Sequence, residues 1–199
     1  FPLSVDFEER YYAAGKIKGS KWLKREGRPS DEAILSGRVI DRAIRPRFDH
    51  NMRNEVQVVA TVLSFDGVND PDIIALFGAS LALMASDIPF DGPIAGVRVG
   101  RVGGKLIFNP TYQERLESDF DIVVAGTANK INMIEAGAKI VPEKEIAEAI
   151  NAGFKEFQSL IKFQEKYAAE IGKKKKELAV FKRDEALLLA VRNFADPKL

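Results

Sequence analysis

Lys21 to Phe48 reads KWLKREGRPSDEAILSGRVIDRAIRPRF, a basic loop with one aromatic that runs into a helix carrying three more arginines. Lys21, Lys24, Arg25, Arg28, Arg38, Arg42, Arg45 and Arg47 stand there against Glu26, Asp31, Glu32 and Asp41, which leaves the segment at +4 in a chain whose total is +1. A nearly neutral chain that concentrates cation in one place has an electrostatic footprint there, and the favoured partner is a polyanion. Ser30 is a natural N-cap, Asp31 and Glu32 suit the positive end of a helix dipole, and Pro46 stops the helix, so a helix is expected from about Asp31 to Arg45. Arg38, Arg42 and Arg45 share one face of it, while Leu35, Val39, Ile40, Ala43 and Ile44 supply the packing side.

Two readings of this stretch stand side by side. A charged helical face is ordinarily only a solvated face. The loop adds Lys24, Arg25 and Arg28 around Trp22, spaced by Gly19 and Gly27, a pairing of phosphate-binding charge with a ring on which a base can stack, as single-strand recognition requires. Trp22 reads equally as a loop anchor tucked into the core.

Working outward, the 199 residues with 46% hydrophobic content suffice for one full core and a second small unit. No apolar run reaches the roughly 20 residues of a membrane helix, and FPLSVDFEER lacks the order of a signal peptide, so no membrane association is expected and the cytoplasm is the default compartment. The absence of cysteine excludes disulfides and cysteine-based metal sites. Leu3, Val5 and Phe7 alternate against Ser4, Asp6 and Glu8, a strand from Pro2 to Glu9 that begins abruptly enough to suggest a fragment or a processed piece.

Downstream, Glu55 to Phe65 reads as a well-buried strand, and Ile73 to Met84, capped by Asn69 or Asp70 with Pro71 in its first turn, as a buried helix apolar nearly all round. Ala95 to Val102, a Gly103-Gly104 turn and Lys105 to Asn109 give a hairpin, followed by strands over Phe120 to Ala125 and Lys130 to Ala136. This first unit is α/β, with helices segregated from a largely mixed sheet. Beyond Val141 the pattern turns helical: Pro142 to about Lys162, which Phe163 to Ile171 continues or restarts after a small break, then Asp184 to Phe194. A domain boundary is expected near Val141, and the run Lys173 to Lys176 reads as a solvated inter-helix loop, with phosphate contact as the alternative.

Residues that could carry chemistry are few. His50 has no partner for a metal cluster or a nucleophile and reads as a surface residue. Phosphate-binding loops of the Walker type are absent, and Gly100 to Gly104 is a hairpin. Asp119 and Asp121 would face the same way on a strand, yet two carboxylates alone make a weak magnesium site. No self-sufficient active site is expected.

REGRPSDEAILSGRVIDRAIRPRF, NEVQVVATVLS, FGASLALMASDIPFDGPIAGVRVG and ESDFDIVVAGT, in that order, resemble the polynucleotide phosphorylase family, over Pro2 to roughly Val141. The match is to the first of that family's two ribonuclease-PH-like core domains. The resemblance implies an α/β (α+β) fold, a ribonuclease-PH-like core of the ribosomal protein S5 domain 2-like type over 1–141, followed over 142–199 by part of an all-α helical unit. It implies a homotrimeric ring, inorganic phosphate as co-substrate, and processive 3′-to-5′ phosphorolysis of single-stranded RNA that releases nucleoside diphosphates. The second core domain of the same polypeptide and an RNA-degrading complex are the implied protein partners.

The same comparison argues against an active site in this segment. Where the family's second core has a serine-rich phosphate loop, this chain has Val68-Asn69-Asp70-Pro71-Asp72, whose carboxylates repel phosphate. Of the second core's magnesium set, Asp121 matches one aspartate, but Arg115 stands for the other and Val123 for the lysine, so Mg2+ is expected only in the full-length enzyme. Trp22, Leu23, Lys24 and Arg25 match a family loop of two aromatics and two arginines; Leu23 loses a stacking ring and Lys24 the bidentate fork. Arg28 and Arg45 match family positions close to the RNA path or the active-site cleft. The rival reading is a stand-alone, non-catalytic RNA-binding ring subunit resembling the inactive exosome subunits. A metabolite kinase of the same S5-like fold fails for want of a glycine- and serine-rich phosphate loop before the buried helix.

Overall fold

The computed structural model describes residues 2–16, 28–179 and 184–196, and its secondary structure is mixed α/β. Strand β1, Leu3–Glu9, buries Leu3 and Phe7 and exposes Ser4 and Asp6, as its alternation requires. It pairs in parallel with β2, Val56–Val62, from Leu3↔Val56 to Glu9↔Val62. Parallel neighbours need a crossover, and helix α1, Asp31–Ile44, supplies it, capped by the Ser30 hydroxyl accepting from Ala33 N at 3.0 Å. A short 3-10 turn, Arg45–Arg47, ends it at Pro46.

Helix α2, Asp72–Ala85, then leads to a four-stranded antiparallel sheet. Strand β3 is Ala95–Val102, β4 is Lys105–Phe108, β5 is Phe120–Gly126 and β6 is Ile131–Ala138, in the spatial order β4-β3-β5-β6. Gly103 and Gly104 both take positive φ, 57° and 78°, which is why this pair and no bulkier one closes the β3–β4 hairpin. Helix α3, Tyr112–Glu117, was not expected; its capping box joins Thr111 and Glu114. Helices α4, Glu143–Glu156, and α5, Gln158–Ile171, follow, and α6, Glu185–Ala195, carries exposed Leu187, Leu189, Val191 and Phe194.

Both faces of the antiparallel sheet are covered. Val123, Ala125 and Met133 join Phe7, Ile40, Ile44, Leu76 and Ile94 in one core beneath α1 and α2. Val97, Val99, Ile122 and Val124 join Ala149, Phe157 and Ile161 in a second core beneath α4 and α5. A Cβ on Gly153 would lie 2.9 Å from Val99, so that glycine sets how closely α4 approaches. Burial therefore runs across the Val141 connection. A helical break falls at buried Phe157, whose φ of −78° and ψ of −2° separate α4 from α5.

Several sequence expectations change. Among the described residues the strands form two sheets, one parallel and one antiparallel, not one mixed sheet. β2 is half-buried: Val59 is exposed because only one face of a two-stranded sheet meets the core. α2 buries Ile73, Leu76, Ala79 and Leu83 but exposes Ile74, and Pro71 occupies the cap position itself. Leu35 is exposed, since the buried face of α1 centres on Ala33, Gly37, Ile40 and Ile44. His50 lies on the surface as expected. No helix among the described residues is long and apolar enough to cross a membrane.

The lysine run is the largest correction. Lys175 is no solvated side chain: its Nζ donates to Leu83 O at 2.6 Å, Met84 O at 3.1 Å and Ser86 O at 2.8 Å, closing the C-terminus of α2. The last carbonyls of a helix lack intrahelical donors and carry the negative end of its dipole, so an ammonium there satisfies both. Desolvation in this position holds the Lys175 pKa below the usual lysine range. Lys176 pairs with Asp87 at 2.8 Å, and Leu178 packs against the first core. Replacing Lys175 by Ala should therefore lower stability by about 1–3 kcal/mol, while Lys174→Ala, on an exposed residue, leaves it unchanged. Thermal melting of the two variants checks this.

Candidate functional site

The N-terminus of α2 meets the sheet where β3 carries a charge. Val97 and Val99 enter the second core, so Arg98 between them points to the opposite face, and only about 9% of it remains exposed. Burying a guanidinium demands partners. Three carboxylates from three places provide them. Asp121, diagonal to Arg98 in the β3–β5 register, accepts from Nη1 at 2.7 and 2.8 Å. Asp72, the first residue of α2 and itself buried, accepts from Nη2. Asp70 lies 3.7 Å from the same nitrogen.

Arg115, on α3, completes the cluster from the solvent side. Its Nη1 donates to Asp70 at 2.6 Å, its Nε to Asp121 at 3.0 Å, and its Nη2 lies 2.8 Å from the same Asp121 oxygen. The guanidinium also stands over the Tyr112 ring, 5.7 Å from its centroid. Two cations thus meet three acids. Burial raises the Asp72 pKa above the ordinary carboxylate range although Arg98 opposes it. Burial alone would pull Arg98 down, but Asp72, Asp121 and Asp70 together carry it above its usual value. Burial, then the charge of Asp70, pushes the Tyr112 phenol up to about 12.

This cluster forms the floor of a cavity of about 900 Å³. Glu9 and Arg10 at the end of β1, Ser30 and Ser36 of α1, and Phe65 wall it, with Tyr112, Asp70, Arg115 and Asp121 at its base. Ser30 Oγ donates to Glu9 at 2.7 Å and so fixes the entry of α1 beside the opening. A helix N-terminus ordinarily attracts an anion. Here the chain's own Asp70 and Asp72 fill that position, with Asp70 accepting from Asp72 N at 3.2 Å.

Nor do the residues present suit a divalent ion. Both oxygens of Asp121 accept from guanidinium nitrogens. Asp119 is turned instead to Arg101 at 2.8 Å, so the two carboxylates do not converge. Among the described residues no group of three or more His, Asp or Glu side chains is placed to hold a metal.

Of the sequence-predicted RNA contacts, Trp22, Leu23, Lys24 and Arg25 lie outside the described residues. Arg28 is exposed, two residues before the cavity wall at Ser30. Arg45 lies away from this cavity; it donates to Asp41 at 2.6 and 3.1 Å and to Leu3 O at 2.9 Å, tying α1 to β1. Arg42 likewise pairs with Glu135 at 3.2 Å. Asp70, Asp72, Arg115 and Asp121 are legible from the sequence, whereas Arg98 and Tyr112 are not. The available signal for Arg98 was a lone charge inside the apolar run Ile94 to Val99.

Residues 1–89 match domain 1 of the 3′ exoribonuclease family, and residues 92–156 match its domain 2. Similar curated proteins carry the name polyribonucleotide nucleotidyltransferase. That of Bacillus velezensis is 52% identical over 199 residues, 100% of this chain and 28% of the relative. That of Geobacillus kaustophilus is 54% identical over 196 residues, 98% of this chain and 27% of the relative. That of Bacillus subtilis is 52% identical over 100% of this chain and 28% of its own length. The chain thus spans little more than a quarter of the relatives it matches.

The cluster makes two measurable demands. Arg98→Met strands buried acid and should cost about 3–5 kcal/mol in urea denaturation, part of which Asp72→Leu restores in the double variant. The phenolate absorbance lost in Tyr112→Phe should titrate near 12 rather than 10.0, and lower in Asp70→Asn. A raised phenol pKa stabilises the fold fully below the unfolded value of 10.0, and that contribution disappears as pH rises through about 12.

Proposed function

The chain belongs to the 3′ exoribonuclease family, and from that membership we propose that it is the first ribonuclease-PH-like core of a polyribonucleotide nucleotidyltransferase, catalytically degenerate and devoted to gripping RNA. In this reading residues 1–141 are a core of the ribosomal protein S5 domain 2-like type and 142–199 part of an all-helical domain. The parent enzyme shortens single-stranded RNA 3′-to-5′ with inorganic phosphate, forms a homotrimer and works in the cytoplasm.

One observation carries the degenerate reading. Asp121, which matches an aspartate of the second core's magnesium site, is bound by Arg98 and by Arg115, the residue that replaces the other aspartate. The phosphate position before α2 is likewise closed by Asp70 and Asp72. Phosphoryl transfer to phosphate needs an open anion pocket and a metal, so both fall to the second core. The basic loop, Trp22, Leu23, Lys24 and Arg25 with Arg28, takes the RNA strand by charge and stacking. Arg45 holds α1 on β1, and in this reading that helix anchors the loop.

Incubated with oligoadenylate, phosphate and magnesium, the 199-residue chain should release no nucleoside diphosphate. A polypeptide extended to the length of its relatives should release it. Phosphate-dependent release by the short chain would sink the degenerate reading, and none from the extended one would favour a non-catalytic ring subunit. In the extended protein, Lys24→Ala with Arg25→Ala should weaken RNA binding with a reduced salt dependence while phosphate affinity holds. Unchanged RNA affinity at low salt would remove the loop from the binding surface.

A further inference from the structure

The first core stops short of the cavity. Along β1, Leu3, Val5 and Phe7 turn toward the apolar interior, and Glu9 is the next residue of the same row. Its register partner on β2 is Val62, which ends the inward row of Val56, Val58 and Ala60, and both members of the pair line the cavity. A carboxylate therefore stands where the alternation calls for an apolar side chain. Its Oε2 accepts from Ser30 Oγ at 2.7 Å, which holds the group in place, while its Oε1 accepts from none of the described residues.

The same cavity has an aromatic wall. Phe65 and Tyr112 meet edge to face, 6.2 Å between centroids at 80°. Both rings are fixed from the backbone: Phe65 N donates to Ala13 O and Tyr112 N to Val68 O, each at 3.0 Å. Burial raises the Tyr112 phenol most, then Asp70, and Glu9 adds to both, so this acid and this ring look onto one space.

Charge is layered around that space. Asp70 and Asp121 at the base repel phosphate. Lys16, exposed at the opening, and Arg28, exposed two residues from Ser30, have no carboxylate partner among the described residues. An occupant must therefore be apolar and flat at its inner end, offer a donor to Glu9, and keep any anionic group outside. Inorganic phosphate fails the first requirement. A cavity of about 900 Å³ is large enough for a small organic group.

We propose that the cavity takes one ribonucleoside, base first, with the base against Phe65 and Tyr112, the ribose 2′-hydroxyl donating to Glu9 Oε1, and the phosphate left outside at Lys16 and Arg28. A carboxylate is an established partner for that hydroxyl in nucleotide sites. The inference rests on the RNA-gripping reading above and gives it what a basic loop lacks. Charge and stacking hold DNA as well as RNA. A fixed acceptor for the 2′-hydroxyl tells them apart. The cavity thus checks the sugar and breaks no bond.

Equilibrium binding of the 199-residue chain to oligoadenylate and to oligodeoxyadenylate of equal length reads the preference. The ribose strand should bind more tightly, and Glu9→Ala should lower that ratio about tenfold by removing a hydrogen bond to a charged acceptor. Glu9→Gln keeps an acceptor oxygen and should retain part of the preference. Phe65→Leu should weaken both strands alike, and Lys24→Ala with Arg25→Ala should weaken both while the ratio holds. Circular dichroism confirms that each variant folds. Adenosine monophosphate that binds, and is lost in Glu9→Ala, supports the site with a free nucleotide as its occupant; preference shown by the strand alone supports a residue of RNA. A ratio that Glu9→Ala leaves unchanged while the loop pair still weakens binding overturns the inference and spares the RNA grip. Equal binding of the two strands by the unaltered chain overturns it as well, and no binding of either strand removes both readings.

Discussion

The structure turns on one buried charge. Arg98 sits in the middle of β3 between two valines committed to the opposite core, so its guanidinium has to be neutralised on the face where α2 arrives. Apolar contact supplies the driving force there through Leu76, Ile94 and Val123, but it has no direction. A guanidinium fork does. Asp72 can reach it only if α2 begins over the sheet, Asp121 only if β5 keeps its register, and Asp70 only if the preceding loop folds under Arg115. The position of α2 is therefore specified by charge as well as by packing.

That arrangement separates two kinds of cation in this chain. Arg98, Arg101, Arg115 and Lys175 are consumed within the fold, three by carboxylates and one by helix carbonyls. The excess charge of the Lys21 to Arg28 stretch is of another kind, since only Glu26 offsets its cations in sequence. A cavity floored by acids already bound to Arg98 and Arg115 leaves those carboxylates little capacity for a metal ion.

Much of the fold was legible because it is local. Alternation located β1, the glycine pair located the β3–β4 hairpin, and Ser30 with Pro46 bounded α1. The capping box at Thr111 and Glu114 was equally readable, but α3 is only six residues long and its Leu116 is exposed, so no periodicity announced it. What escaped depends on contacts far apart in the chain. The half-exposure of β2 follows from how few strands stand beside it, and the seat of Lys175 is built by carbonyls some ninety residues earlier. Of the candidate site, the acids and Arg115 could be named from the sequence, yet only the sheet register reveals that Arg98 binds them. The loop from Trp22 to Arg25 carries its reading in composition alone.

Helix α2 is held at both extremities. At its start the Asp72 carboxylate accepts from Ile73 N at 2.6 Å and from Arg98; at its close Lys175 gathers three carbonyls and Lys173 N donates to Ala85 O at 3.0 Å. Helices ordinarily loosen from their termini, where backbone groups lack partners. With neither end free to fray, α2 exchanges its amide hydrogens only when the surrounding core opens with it, which makes this helix part of the slowest cooperative unit of the molecule rather than a lid that moves by itself.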